Sequence, residues 1–176
     1  MKKQTFWNEV SRDGAILGAV EVVFLLVSTL LARHQGGGMV LSLLHLAVFI
    51  TLLTLFTKRQ AASCGAEGFS YGKGLKYIFF VSLFAGILCG AYEIVARNWF
   101  FPELYRETVK SALTGMAQSN LFSGSQLAAM KDSMETMFFS PFWVVFTDVL
   151  GMVIRGLFFG LFVAAFTRRE PDIFGE

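Results

Sequence analysis

Residues 142–166 read FWVVFTDVLGMVIRGLFFGLFVAAF, twenty-five positions whose ionisable side chains are Asp148 and Arg155. At 1.5 Å rise per residue this run makes a helix of about 37 Å, longer than the roughly 30 Å hydrocarbon core of a bilayer. Three more runs of this character stand at 14–32, 39–57 and 77–97. Together they predict four transmembrane helices. Composition points the same way: 55% of the 176 residues are hydrophobic, 16% are charged and twenty are Phe. Mean hydropathy is +0.58, whereas a soluble domain carries about a quarter charged residues. The expectation is an all-α polytopic protein forming a single membrane domain over 1–176.

The first run follows a basic MKK start, as a secretory signal would. Mostly polar residues intervene before it, and no small-residue cleavage site follows LLARHQ, so it reads as an uncleaved anchor. Orientation follows from the side on which Lys and Arg collect. Lys2, Lys3, Arg12, Lys58, Arg59, Lys73, Lys76, Arg168 and Arg169 fall on one side, against Arg33, Arg97, Arg106, Lys110 and Lys131 on the other. Nine against five predicts that both termini are cytoplasmic. The RHQGGG stretch at 33–38 is a short flexible turn, which makes the first two helices an antiparallel hairpin.

The outer segment 98–141 carries helical signals of its own. Pro102 suits a first helical turn, and Leu104, Val109, Leu113 and Met116 recur beyond it with charges between them. Ser123 with Gln126 three residues on is a capping-box pattern, and Leu127, Met130, Met134, Met137 and Phe138 then follow at helical spacing. Two short amphipathic helices should form an external cap. Its Met face suits either the membrane surface or a partner.

The ionisable residues expected to be buried by the apolar runs are Glu21, His45, Glu93, Asp148 and Arg155. A charge at mid-bilayer costs about 2.5–3.5 kcal/mol on insertion scales, so these groups should face the bundle interior as a polar seam. By rise per residue, His45, Glu93 and Asp148 fall in the outer half, while Glu21 lies about 10 Å inside the cytoplasmic boundary. Arg155 is about 10 Å along the helix from Asp148 and has three candidate acids, Asp148, Glu93 and Glu21. Of these, Asp148 or Glu93 is favoured, because a glutamate nearer the inner boundary can find water. The seam serves as a proton, ion or headgroup path, or it ties helices into one packing.

Small residues repeat every fourth position in three helices: Gly14 and Gly18, Gly86 and Gly90, and Gly156, Gly160 and Ala164. Such rows let helix backbones approach closely in lipid. The first, third and fourth spans should therefore pack tightly, with Leu41, Val48, Ile50 and Leu52 of the second turned partly to lipid. GAILGAVE at 14–21 and GILCGAYE at 86–93 share Gly, Gly, Ala and Glu at the same offsets. That echo is compatible with an old hairpin duplication or with convergent use of small residues beside an acid.

Several classes lack support. A net charge of +2 with no basic, aromatic-interleaved stripe gives nothing for nucleic acid. No HExxH, GxSxG, phosphate-binding loop or dinucleotide fingerprint is present, and GKGLK at 72–76 reads as loop before a span. Cys64 and Cys89 lie at different depths, so neither a disulfide nor a metal site is expected, and no cofactor is implied.

FSYGKGLKYIFFVSLFAGILCGAYEIV at 69–95, followed by NWFFPELYRE at 98–107, resembles a family of small four-helix bacterial membrane proteins known as a domain of unknown function. Phe69, Gly72, Leu75 and Lys76 before the span, and Phe101, Pro102, Glu103 and Tyr105 after it, carry the likeness. The resemblance implies the four-span layout and a bacterial inner membrane, and assigns no activity or site residue. The leading expectation is a non-enzymatic accessory or structural subunit, within a homo-oligomer or with other membrane subunits in the lipid bilayer. A small proton- or lipid-coupled carrier using Glu93, Asp148, Arg155 and His45 comes second, and a membrane enzyme third.

Overall fold

The computed structural model describes residues 3–31, 38–119 and 122–170. Six α-helices follow one another: α1 (Lys3–Leu31), α2 (Gly38–Ser63), α3 (Tyr71–Val95), α4 (Pro102–Gln118), α5 (Gly124–Phe139) and α6 (Pro141–Thr167). A 3₁₀ turn at Gly65–Glu67 precedes α3, and a π-helical turn at Ala96–Phe100 extends it. Four segments are long and apolar enough to cross a membrane: Thr5–Leu31, Met39–Ser63, Tyr71–Phe100 and Pro141–Thr167. The chain is thus an all-α multi-pass membrane protein.

The helices outrun the apolar stretches that announce them. α1 starts well before Gly14, α2 carries Lys58 and Arg59 on its last turns, and α3 begins at Tyr71. GKGLK at 72–76 is therefore not a loop but the opening turns of α3. The reason is packing: a Cβ on Gly74 would meet the Cβ of Ala164 at 3.1 Å, so this glycine serves close helix approach rather than chain reversal. Of the expected turn at 33–38, Gly38 instead opens α2, and the remainder lies outside the described residues.

Two compact units divide the chain, Met1–Cys89 with Val149–Glu176, and Gly90–Asp148. In the first, α3 is the organising element. A Cβ on Gly14 of α1 would stand 2.5 Å from the Cβ of Phe84, and one on Gly18 would stand 3.0 Å from the Cβ of Leu88. Both numbers rise together along the two chains, so α1 and α3 run parallel. Against α6 the pairs are Gly74 with Ala164, Ile78 with Gly160 and Ser82 with Gly156, where one number rises as the other falls. α3 and α6 are therefore antiparallel. Around these contacts Leu17, Phe49, Leu53, Tyr77, Ile78 and Val81 form a core with near-zero exposure. Removing such side chains from their surroundings loses dispersion contacts as well as transfer energy, and it is the former that drive association in lipid. Beyond the helix ends, Phe69 and Arg169 exchange two backbone hydrogen bonds of 2.9 Å, tying the entry of α3 to the exit of α6.

The second unit holds α4 and α5 with the adjoining ends of α3 and α6. Gly90 lies against Val145, whose Cα would be 2.8 Å from an added Cβ. The amphipathic pair is present: Pro102 opens α4, and Ser123 caps α5 in a reciprocal box with Gln126. Val109 is the buried position of α4, whereas α5 buries no residue fully. Leu127, Met130, Met134 and Phe138 are half-buried, and Met137 is exposed.

Candidate functional site

Three charged assemblies are built into the spans. The first centres on Glu21, seven residues from Gly14 and so on the glycine face of α1. Glu21 is 3% exposed, and its Oε2 accepts from two helices at once. Arg155 of α6 donates through a terminal guanidinium nitrogen, and His45 of α2 lies with Nε2 at 2.8 Å. Below the guanidinium is Phe49, with 4.3 Å from Cζ to the ring centroid, so a cation–π contact supplements the ion pair. Phe24 stacks on the imidazole at 4.7 Å. The other carboxylate oxygen, Oε1, is buried with no hydrogen-bond partner.

This arrangement corrects the sequence-based pairing. Arg155 takes Glu21, the acid ranked last, rather than Asp148 or Glu93. His45 also pairs with Glu21. The physical reason is the length of α1. Because the helix ends at Leu31 and α2 begins at Gly38, Glu21 lies about 15 Å and His45 about 10 Å from the same connection. A glutamate and a histidine side chain together span that difference.

The second assembly was not anticipated. Asp13 is 1% exposed and receives Arg59 of α2, the Tyr77 hydroxyl of α3 and, at 3.1 Å, Nε of the adjacent Arg12. Asp13 pairs with Arg59 and Glu21 with His45, so the two ties fix α1 and α2 as antiparallel neighbours. Tyr77 is itself 1% exposed, so its hydroxyl has exchanged water for this carboxylate. Arg12 precedes an apparently apolar run, which makes Asp13 resemble a flanking surface charge in the sequence; the signal that could have found it is Arg59 at the matching hairpin level.

The third assembly lies in the second unit. Glu93 accepts from Arg97 Nε at 2.7 Å, one helical turn on, and from the Tyr105 hydroxyl at 3.1 Å. Arg97 also donates to the Phe138 carbonyl at 3.2 Å, and its guanidinium lies 5.2 Å from the rings of both Tyr105 and Phe138. It sits in the π-helical turn, whose wider ring ends with the Phe101 amide donating to the Ala96 carbonyl at 2.8 Å. Turns of this kind frequently re-aim side chains at sites of use. Asp148, in the same unit, keeps Oδ2 buried and unpartnered. The two glutamates of the Gly-Ala-Glu echo therefore hold different partners, a second helix pair for Glu21 and a local arginine for Glu93.

Chemically, each assembly buries a carboxylate and neutralises it with a cation from the same or a neighbouring helix. No group of three or more His, Cys, Asp or Glu suited to a metal ion occurs among the described residues. Outside the spans, burial pushes the Cys64 thiol above its ordinary range while the Lys73 charge pulls it down. No curated protein and no solved structure matches the sequence. A family model described as a protein of unknown function (DUF4199) matches residues 12–169, a stretch that takes in all three charged assemblies, most of the first span and the whole of the other three. The chain belongs to this family of proteins of unknown function.

Proposed function

We propose that the protein is a non-enzymatic accessory or structural subunit, forming an oligomer of itself or part of a larger assembly in a bacterial inner membrane, with both termini cytoplasmic. The observation that carries this reading is the residual exposure of the Glu21 partners. Arg155 lies about 21 Å along α6 from Pro141, near mid-span, yet its side chain is 30% exposed, and that of His45 is 22% exposed. A guanidinium left against lipid at that depth costs about 2.5–3.5 kcal/mol on insertion scales. A neighbouring subunit offering a carbonyl, hydroxyl or carboxylate removes that cost. The flanking Ile154 and Phe158, more than half exposed, supply apolar contact around the polar point.

Native mass spectrometry of the full chain released from mild detergent tests this. A defined oligomer or a stoichiometric partner is the expected result, and a clean monomer contradicts it. A carrier is the second reading, favoured by the buried unpaired oxygens of Glu21 and Asp148, which are poised to take a proton or a cation. It requires proton flux in proteoliposomes that Glu21→Gln abolishes; absence of flux from the unmodified protein rejects it.

A further inference from the structure

The first unit carries a cavity of about 370 Å³ where the start of α1, the end of α2 and the start of α3 come together. Its walls include Phe6, Trp7 and Phe69, with Lys73 and Lys76 beside them and Glu67 as the single acid. Three observations define its chemistry. The spans begin or end at Thr5, Ser63 and Tyr71, so the cavity opens at the level where hydrocarbon gives way to water. Trp7 is 42% exposed there, and indole rings favour the headgroup level of a bilayer. Lys73 donates one hydrogen bond, to the Gly68 carbonyl at 3.1 Å, leaving two N–H groups. The Lys76 ammonium stands 5.9 Å from the Phe6 ring centroid and is likewise held at the mouth.

We propose that this cavity binds the headgroup of an anionic phospholipid. Lys73 and Lys76 take the phosphate, while Phe6 and Trp7 cover the glycerol and the first methylenes of an acyl chain. Two ammonium groups against one exposed carboxylate give the site a positive balance. Basic pockets between spans at the membrane boundary are suited to such headgroups. The volume falls within the roughly 300–1,000 Å³ of small-molecule sites. The aromatic walls require the ligand to be amphiphilic, which separates a lipid from a free anion. This inference stands apart from the subunit reading, since it uses none of the Glu21 assembly.

The test is native mass spectrometry of the full chain titrated with phosphatidylglycerol, phosphatidylcholine or inorganic phosphate. Each lysine contributes roughly fivefold near a charged surface, so phosphatidylglycerol is expected to bind on the order of twentyfold better than phosphatidylcholine. K73Q/K76Q should abolish the preference, bringing phosphatidylglycerol adducts down to the level of phosphatidylcholine, and K58Q, on the exposed face of α2, should retain it. The unmodified protein supplies a second readout independent of variant folding: the preference should fall steeply at 1 M salt, where the screening length is about 3 Å. Equal binding of the two lipids, or a preference that survives K73Q/K76Q or high salt, overturns the proposal. Displacement of phosphatidylglycerol by millimolar phosphate overturns the lipid as occupant.

Discussion

Gly156→Ala is the substitution whose cost can be worked most directly from the geometry. A Cβ at position 156 would stand 1.9 Å from Ser82 Oγ and 2.8 Å from Ser82 Cβ, and real Cβ contacts essentially never fall below 3.0 Å. The hydroxyl can rotate away, for its oxygen holds no hydrogen bond. The Cβ cannot, because it is fixed by the α3 backbone, so α3 and α6 must part by a few tenths of an ångström. Overpacking of this kind costs about 1–3 kcal/mol. Alanine also returns about 1 kcal/mol of helix propensity, and Gly151→Ala isolates that gain, since nothing lies within 4 Å of its added Cβ. The propensity cancels between the two variants, leaving Gly156→Ala about 1–3 kcal/mol less stable than Gly151→Ala. At about 2–4 °C per kcal/mol for a chain of this length, the gap in Tm is roughly 2–12 °C in a detergent melt. Ser82→Gly in the Gly156→Ala background removes the clashing Cβ and should close most of the gap. Equal Tm values for the two alanine variants would refute the close approach of α3 and α6.

Other expectations concern the buried charges and the thiol. Removing one partner of a buried ion pair costs about 3–5 kcal/mol, so Glu21→Leu and Arg155→Leu should each destabilise strongly while the double variant loses much less than their sum; a double-mutant cycle of unfolding in detergent checks this, and additive losses argue against the pair. Tyr77→Phe takes one donor from the buried Asp13 carboxylate and should cost about 1.5–3 kcal/mol, whereas Tyr71→Phe, on an exposed side chain, should be neutral in the same melt. Burial raises the Cys64 pKa, so the folded protein favours the neutral thiol. Its alkylation by iodoacetamide should therefore lag a fully exposed thiol at pH 8 and approach it as pH rises past the ordinary thiol range; the same sign means this group stabilises the fold below its unfolded pKa and loses that contribution as pH climbs through the raised one.

Much of this architecture can be read from residue type and spacing. Four apolar runs, the Ser123–Gln126 capping box and the glycine rows each reflect local rules, because span length, cap geometry and close approach act within a few turns of one helix. The ion pairs were harder, since each depends on the register between helices. Counting from the apolar run at 14–32 puts Glu21 near the inner boundary; the helix, running from Lys3 to Leu31, puts it within side-chain reach of His45. The role of Asp13 is hidden in the sequence for the same reason, its partners Arg59 and Tyr77 being set by hairpin register and by the parallel seating of α3 beside α1. GKGLK misleads because glycine serves both chain reversal and helix packing, and the α6 surface that decides between them lies about ninety residues away.

The subunit reading rests on what lies beside Arg155, so the most direct measurement places a reporter there. In a chain with Cys64 and Cys89 replaced by Ser, Ile154→Cys puts a single thiol on an exposed position next to the guanidinium. Oxidative or short bifunctional cross-linking in native membranes should then yield a covalent product of defined size, a dimer of this chain or an adduct with another subunit, that Arg155→Leu diminishes. Cross-linking no greater than that of Phe166→Cys, a reporter on another exposed stretch of α6, with the unmodified chain running as a monomer, would contradict the account.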